Sequence, residues 1–326
     1  MPCAIVPESV RLLYMVTYNR LVKRPAVFVS LTGLSIPVFE ALYNDFAPAH
    51  YKRLSAATRK GTPRQRAYGA GGQPHLSRRD QLVMALFWLR VYPTYRILGF
   101  FFSLDESNAF RNVADVLETL NAMTTFSYDL PSRERHKAYS AKEVMDLFPD
   151  VALVIDAKEQ RIERPKGYEN QKPYYSGKKK AHTLKNQIGV DPTGRIQHVS
   201  PSVPGSKSDI TLLRETKLLD TLDDDEQAMT DKGYQGIRDD YPRLRILQPF
   251  KASRGHPLTE QQEAANRLLS RYRIVVEHTN AQLNKYQVLV QRFRKGRNSH
   301  SQVFRVVAGL VNRRLAVSPL KSYAAA

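Results

Sequence analysis

Hydrophobic residues recur at helical spacing in the first half of the chain and predict a group of short helices. They do so across residues 82–89, and Ser77 and Asp80 just before this run form a helix-start signal. Further helices are predicted at residues 94–102 and 108–120. Three short helices with tight turns are typical of a helix-turn-helix module, but also of helical bundles that bind nothing.

Beyond residue 150 the pattern changes and predicts strands. Residues 151–155 form an apolar run that ends at Asp156, as in a buried strand. Two alternating segments, 180–190 and 196–203, flank the hairpin turn signal of residues 191–195. Later segments are predicted as helix, strand, strand and helix, at residues 210–219, 228–231, 246–250 and 258–282.

This order of elements predicts an α/β fold class. An acid at the end of the first strand of a β-β-β-α-β-α-β-α series is the plan of an RNase H-like domain. We therefore expect a mixed five-stranded sheet with flanking helices, preceded by the α-helical helix-turn-helix domain. Sheets of this kind place their sites at the carboxyl ends of strands.

Three acidic residues each close a segment that directs them toward one point. Asp156 and Asp231 follow predicted strands, and Glu277 lies on the last predicted helix. Three carboxylates at one point can hold two divalent cations and cut a phosphodiester bond. Each also has an ordinary interpretation. Asp156 can cap a turn, Asp231 can begin a turn through Gly233, and Glu277 can pair with Arg273 one helical turn earlier.

A fourth acid and several basic residues accompany these three. Asp209 opens a predicted helix, either as its N-cap or as an accessory acid of the same site. A run of lysines is usually a solvated face, but here it lies beside a proposed phosphodiesterase centre. The candidate DNA contacts are Lys178, Lys179, Lys180, His182, Arg273, Arg292 and Arg294.

The composition of the chain indicates which kind of binding partner and which cellular compartment to expect. The chain has 50 Lys and Arg against 31 Asp and Glu, a formal net charge of +19, which favours a nucleic-acid partner. Its single cysteine, Cys3, excludes an intrachain disulfide and a Cys-based zinc site. With no apolar stretch of about 20 residues and no secretory signal at the start, we expect no membrane span. A cytoplasmic, nucleoid-associated bacterial protein is the expectation.

Shifts in composition predict four regions. Residues 1–70 have no assigned role and end in a basic, glycine-rich linker. Residues 71–145 hold the helix-turn-helix domain and a connector. Residues 146–318 are the RNase H-like catalytic domain, and residues 319–326 form a tail.

Several blocks of this sequence resemble IS5-type DDE transposases, in the bacterial branch similar to Harbinger transposases. Residues 76–95 are similar to the helix-turn-helix that precedes the DDE endonuclease domain in this family. The other matching blocks are Val154-Ile-Asp156, Tyr175-Ser-Gly-Lys-Lys-Lys-Ala-His182, Pro204-Gly-Ser-Lys-Ser-Asp209, Thr230-Asp-Lys-Gly-Tyr-Gln-Gly236 and Arg273-Ile-Val-Val-Glu277.

The resemblance implies that Asp156, Asp231 and Glu277 are the catalytic and metal-binding triad. It implies two Mg²⁺ ions, for which Mn²⁺ substitutes. The implied partners are double-stranded DNA, as terminal inverted repeats and as target, and further copies of the chain in a homodimer or larger assembly on DNA.

The chain departs from the family at three positions. The family's His-Asp pair is here Ser208 followed by Asp209, so the histidine is missing. A tyrosine expected before the arginine is replaced by Ser270. A basic residue expected beyond the glutamate is replaced by Asn284, which leaves the next residue, Lys285, as a weaker candidate for a DNA contact.

The leading hypothesis is therefore an insertion-sequence transposase. Such a protein binds terminal inverted repeats, cuts the element ends by two-metal hydrolysis and joins the 3′-hydroxyls to target DNA. One alternative is a transposase-derived protein that binds DNA without cutting it. Another is an RNase H-like nuclease that acts in repair or on RNA.

Overall fold

The computed structural model describes residues 15–56, 74–123, 150–253 and 255–318. The chain forms two compact units: Met1–Ser127 with Lys285–Val288, here the helical unit, and Tyr128–Asn284 with Leu289–Ala326, here the α/β unit. Most of the predicted basic linker (residues 51–75), most of the connector and the predicted tail lie outside the described residues, but residues 51–56 of that linker are the end of a helix. The four predicted regions therefore stay predictions.

The described part of the helical unit is built from helices. They are α1 (Tyr18–Leu21), α2 (Pro25–Thr32), α3 (Ile36–Ala56), α4 (Arg78–Val91), α5 (Tyr95–Phe102) and α6 (Glu106–Ala122). Helices from both sides of the predicted boundary at residue 70 pack together. Arg53 of α3 forms ion pairs with Asp115 (3.0 Å) and Glu118 (2.7 Å) of α6.

Local capping explains where α4, α5 and α6 begin. The hydroxyl of Ser77 accepts a hydrogen bond from the backbone N–H of Asp80 at 3.1 Å. Thr94 and Asp105 cap the next two helices in the same way. Side-chain oxygens at these positions satisfy amides that the first helical turn leaves unpaired. The predicted start signal at Ser77 is thus confirmed.

The connection between α5 and α6 is a tight turn. Only residues 103–105 separate the two helices, and Ser103 adopts a left-handed conformation with φ of 54°. A Cβ on Gly99 would lie 2.4 Å from the backbone oxygen of Leu104, so the helix and the turn approach this closely only because residue 99 is glycine.

The α/β unit is organised by one mixed sheet. Its strands are β1 (Val151–Arg161), β2 (Tyr175–Ser176), β3 (Ala181–Val190), β4 (Ile196–Val199), β5 (Val203–Pro204), β6 (Gln227–Met229) and β7 (Arg245–Leu247). The order is β2-β3-β1-β6-β7, with β4 and β5 also paired to β3. β1 is antiparallel to β3 and parallel to β6, and β6 is parallel to β7. The sheet has seven strands rather than the predicted five, because the two-residue strands β2 and β5 add to β3.

Helices cover this sheet and complete the predicted RNase H-like architecture, which is confirmed. One face packs Leu153 and Ile155 against a buried cluster that includes Leu213 and Tyr234. The long helices that follow β7 contact β1 and β4. The helices of the unit are α7 (Tyr168–Gln171), α8 (Asp209–Thr216), α9 (Ile237–Asp240), α10 (Glu260–Leu283) and α11 (His300–Val317).

Strand β1 is longer than the sequence predicts. It does not end at Asp156 but continues to Arg161, because residues 154–161 pair without interruption with β3. Asp156 lies opposite Ile188, in the middle of the strand. Since side chains alternate along a strand, Asp156, Lys158 and Gln160 share one face of β1, and Ile155 and Glu159 lie on the other.

No single helix in the described residues is long and apolar enough to cross a membrane, and the bent pair of α2 and α3 meets that test only when both helices are combined.

Candidate active site

Asp156 lies on the face of β1 that is covered by α10. Its Oδ2 atom accepts a hydrogen bond from Asn280 Nδ2 at 2.8 Å. Burial raises the pKa of the Asp156 carboxyl. A hydrogen bond from the Ala157 amide and the charge of Arg273 oppose this rise, whereas the negative charge of Asp231 adds to it. The structure therefore brings Asp156 and Asp231 within electrostatic reach of each other.

Asp231 reaches this point from the neighbouring strand. It follows β6, which is parallel to β1, and it caps a 3-10 helix of residues Lys232–Tyr234. Its Oδ1 atom accepts a hydrogen bond from the Gly233 N–H at 2.7 Å. The ordinary interpretation of Asp231, a turn through Gly233, is thus observed, and this turn fixes the carboxylate.

Gly233 lies close to both Asp231 and Asp209. A Cβ on Gly233 would lie 2.9 Å from Asp231 Oδ1 and 3.0 Å from Asp209 Oδ2. Both contacts are shorter than normal van der Waals separations, so a side chain at this position would displace one of the two carboxylates. Asp209 therefore belongs to the immediate surroundings of Asp231.

Asp209 is held by a buried lysine and is not the N-cap of α8. The cap is Ser208, whose hydroxyl accepts from the Thr211 N–H at 3.1 Å, which corrects the N-cap interpretation of Asp209. Asp209 Oδ1 instead accepts a hydrogen bond from Lys185 Nζ at 2.6 Å. The same amine lies 3.6 Å from Glu159 Oε1. Lys185 thus joins two acids, and its side chain is only 6% exposed.

The Tyr234 side chain belongs to the buried cluster against β1 and lies within electrostatic reach of the three aspartates. The residue is fully buried, and its hydroxyl has no hydrogen-bond partner among the described residues. Burial raises the pKa of Tyr234 well above its usual value, and the charges of Asp209, Asp156 and Asp231 raise it further. Tyr234 therefore adds an uncharged hydroxyl to the buried surroundings of these acids.

Glu277 lies on the same face of α10 as the two residues that act on Asp156. Arg273, Glu277 and Asn280 are spaced by four and three positions, which places them along one side of a helix. Glu277 is exposed, and none of the ion pairs within the described residues joins it to Arg273, so its ordinary interpretation is not observed.

The acids do not form a complete metal site as they stand. No cluster of three Asp, Glu, His or Cys side chains in the described part of the chain is close enough to hold an ion. Asp156 and Asp231 are brought together, whereas Glu277 is brought only to the adjoining helix face.

The residues nevertheless fit a divalent cation. Carboxylates are the ligands that hard cations such as Mg²⁺ prefer, and the pKa of Asp156 is raised here by burial and, less strongly, by the charge of Asp231. The Oδ1 atom of Asn280 is buried and has no hydrogen-bond partner among the described residues, like the hydroxyl of Tyr234. A cation with its bound waters would neutralise the charges and satisfy such atoms.

The lysines proposed as DNA contacts form the turn between β2 and β3. Lys178, Lys179 and Lys180 are exposed, and Lys180 has a left-handed φ of 49°. The Lys179 N–H donates to Ser176 Oγ at 3.2 Å, which closes the turn. His182, at the start of β3, packs edge-on against the ring of Tyr175 across the two strands.

The other candidate contacts are dispersed. Arg292 forms an exposed ion pair with Glu163 at 3.1 Å, and Arg294 is exposed. Arg273 lies beside Asp156, as described above. Lys285 belongs to the segment that groups with the helical unit, so it is not part of the α/β unit that carries the acids.

Lys158 is a site residue that the sequence alone did not indicate. This residue follows Asp156 by two positions on the same face of β1, and its Nζ atom donates to Asn284 Oδ1 at 2.5 Å. Burial lowers the pKa of Lys158 to about 8, Asp156 opposes this shift, and the charge of Lys179 adds to it. The resemblance implies a basic residue at position 284. This chain has asparagine there, and Lys158 of β1 places its amine next to that asparagine. Strand alternation would have indicated Lys158 had the strand been predicted to continue past Asp156.

Comparisons with known proteins agree with this architecture. Residues 155–312 match the family model of the DDE superfamily endonuclease, a span that contains all four acids. The α/β unit is thus a DDE endonuclease domain. The chain is also 31% identical over 250 residues to the "Probable transposase for insertion sequence element IS702" of Microchaete diplosiphon, which covers 76% of this chain and 84% of that protein. No solved structure matches the chain.

The chain therefore belongs to the insertion-sequence transposases that carry a DDE endonuclease domain. Its place in the Harbinger-like branch stays a prediction.

Proposed function

We propose that this protein is a metal-dependent DNA transposase that cuts the ends of its insertion sequence and joins the 3′-hydroxyls to target DNA. The observation that carries the proposal is the pair Asp156 and Asp231, which adjacent parallel strands bring together in a buried setting. Such an arrangement of like charges is destabilising unless a cation or a reaction makes use of it.

Asp156, Asp231 and Glu277 are the residues that we propose hold two Mg²⁺ ions, with Mn²⁺ as a substitute. When bound, such ions activate a water or 3′-hydroxyl and stabilise the leaving oxygen. Asn280 orients the Asp156 carboxylate by donating to its Oδ2 atom. Arg273 favours the charged form of Asp156, and the Gly233 N–H fixes Asp231. We assign Asp209 an accessory role through its contact with Gly233.

Double-stranded DNA is the partner that we propose, both as terminal inverted repeats and as target. The formal net charge of +19 supports a polyanionic partner. The exposed turn of Lys178, Lys179 and Lys180 offers phosphate contacts in the α/β unit. We propose that Arg292 and Arg294 add further contacts, and that Lys285 is a weaker one.

End recognition is assigned to the helical unit in this proposal. The tight turn between α5 and α6 has the form that a helix-turn-helix requires, and Ser107 and Arg111 are exposed near the start of α6. Two element ends must be held together for transposition, so a homodimer or larger assembly on DNA is part of the proposal. A cytoplasmic, nucleoid-associated location remains an expectation of this function.

The decisive experiment is cleavage of a DNA duplex that spans the boundary of the encoding element, with and without Mg²⁺. We expect metal-dependent nicking at the boundary by the wild type and none by Asp231→Asn. Asp239→Asn is the matched control, because Asp239 is an exposed acid of the same unit. Nicking that Asp231→Asn leaves intact would contradict the assignment and direct attention to Asp209.

The same assay separates the alternatives. Binding of the boundary duplex without cleavage by the wild type would indicate a transposase-derived DNA-binding protein. Faster cleavage of an RNA–DNA hybrid than of the boundary duplex would indicate an RNase H-like nuclease.

A further inference from the structure

Lys158 is a positive charge built into the sheet directly beside the proposed catalytic acids. It shares one face of β1 with Asp156, two residues away, and each of them contacts an amide side chain, Asn280 in α10 or Asn284 at the C-cap of that helix. Asn280 donates to Asp156 at 2.8 Å, whereas Asn284 accepts from Lys158 at 2.5 Å. The carboxylate and the amine are therefore fixed by the same helix.

The contact with Asn284 positions the amine but does not neutralise it. An ammonium group has three N–H donors, and an amide oxygen satisfies one of them without supplying negative charge. Within the described residues, no carboxylate lies at ion-pair distance from Lys158. Holding a half-buried cation in this way without a paired anion is unfavourable unless an anion binds during function.

A second cation lies on the same side. Lys179, in the turn between β2 and β3, is near enough for its charge to act on Lys158. Two neighbouring amines, one of them two residues from Asp156 on the same face of β1, form a position for an anion next to the proposed catalytic acids. The backbone phosphate of a nucleic acid is such an anion, and lysine binds it as a point charge.

We propose that Lys158, held in place by Asn284, binds a backbone phosphate of the DNA strand next to the bond that is cut. The inference rests on the proposed function for the identity of the anion. Lys158 is then a substrate-binding residue, and Asn284 is a positioning residue that acts through it.

The test is a scan of the boundary duplex with single methylphosphonate substitutions, each of which removes the charge of one phosphate. Binding is measured without divalent cations, and cleavage is measured separately with Mg²⁺. The wild type is compared with Lys158→Met and with Lys166→Met, a control in which an exposed lysine of the same unit is changed. Thermal melting of each variant confirms that it is folded.

We expect Lys158→Met to lower the cleavage rate by about 10- to 100-fold, the size of the loss of one charged hydrogen bond. At one phosphate, methylphosphonate should weaken binding by the wild type and by Lys166→Met but leave binding by Lys158→Met unchanged. Lys158→Met should also reduce the slope of log affinity against log salt by about 1.

Asn284→Ala tests the same proposal in a second way. It keeps the Lys158 amine but removes the Asn284 oxygen that accepts its hydrogen bond. We expect weaker interference at the same phosphate, and no further loss when it is combined with Lys158→Met. An interference pattern in Lys158→Met identical to that of the wild type would overturn the proposal. The binding scan does not require cleavage, so a wild type that binds with the expected pattern but never cuts would refute the proposed function alone.

Discussion

The two faces of β1 carry acids in opposite situations. On one face, Glu159 accepts from Thr183 Oγ1 at 2.9 Å and lies 3.6 Å from the Lys185 amine, which also binds Asp209. On the other face, Asp156 has an amide donor in Asn280 and a like charge in Asp231. In the first group both acids share the Lys185 amine, so each has a basic partner, and this face is here called the matched face. The second is crowded in charge, as expected of groups that bind a cation or react.

Asp209 connects the matched cluster around Lys185 with the crowded site of Asp156 and Asp231. Its Oδ1 atom binds Lys185, while its Oδ2 atom lies against Gly233 in the turn that orients Asp231. The matched cluster can thus hold the turn that carries a proposed catalytic acid. Pairing with Lys185 thus fixes Asp209, and Asp209 lies beside the turn that carries Asp231.

The largest expected effect comes from removing charge on the crowded face. Asp156→Asn should lower the cleavage rate by at least about a thousandfold, since several kcal/mol of charge stabilisation are lost at roughly 1.4 kcal/mol per factor of ten. Its melting temperature should not fall, because an amide at position 156 relieves burial of a charge and its repulsion by Asp231. Single-turnover cleavage and thermal melting measure the two effects, and a parallel loss of stability would contradict the interpretation.

Removing the charge of Lys185 on the matched face should instead lower the stability of the fold. Lys185→Met leaves Glu159 and Asp209 without their cation, and breaking a buried ion pair typically costs about 3–5 kcal/mol of unfolding free energy. Urea denaturation measures this loss. Neutralising both acids in the same chain, with Glu159→Gln and Asp209→Asn, should recover much of the stability. No recovery would mean that packing of the lysine side chain, not charge, explains the loss.

At the far end of the same face of β1, the uncharged side chain of Gln160 contacts His300. The protonation of His300 provides a test by pH. His300 is buried and contacts Gln160 Oε1 at 2.8 Å and Ser202 Oγ at 2.7 Å. Burial lowers the pKa of His300 to about 4. The unfolded chain, with its histidine pKa near 6.5, therefore binds more protons between pH 6.5 and 4. This contribution to stability is complete above pH 6.5 and is lost as the pH falls to about 4.

The expected size of that loss is about 3 kcal/mol, from roughly 1.4 kcal/mol per pKa unit. His300→Gln removes the titrating group, so the stability of the wild type relative to this variant should decrease by that amount from pH 6.5 to 4. Denaturation curves at several pH values measure the difference. Parallel pH profiles for the two proteins would show that His300 does not titrate in this window.

Local signals in the sequence predicted part of this molecule. Ser77, Thr94 and Asp105 cap helices through bonds to amides three residues later, so the sequence near each helix start contains the information. The order of strands and helices, and with it the RNase H-like fold class, followed from hydrophobic pattern alone. Asp209 was harder, because Ser208, one residue earlier, is an equally good cap and takes that place.

Contacts between distant segments were not predictable in this way. The polar residues after Asp156 are in a strand only because β3 pairs with them. The contacts of Lys185 with Asp209 and of Lys158 with Asn284 join residues 24 and 126 positions apart. A single sequence gives the residue types but not these pairings, so it named the acids and missed the two lysines that surround them. The roles of Asp156, Asp231 and Glu277 stay predictions until the variants are measured.

The smallest effect is expected from a change at Gly233, which lies close to both Asp231 and Asp209. Gly233→Ala adds a Cβ that would lie 2.9 and 3.0 Å from oxygens of Asp231 and Asp209, so one carboxylate must shift. We expect a stability loss of about 1–2 kcal/mol, as for a modest overpacking, and a larger relative loss of cleavage, because Asp231 is displaced. Gly296→Ala is the control, since a Cβ there meets no atom within 4 Å. Equal cleavage by the two variants would show that the turn tolerates the shift and that Asp209 does not position Asp231.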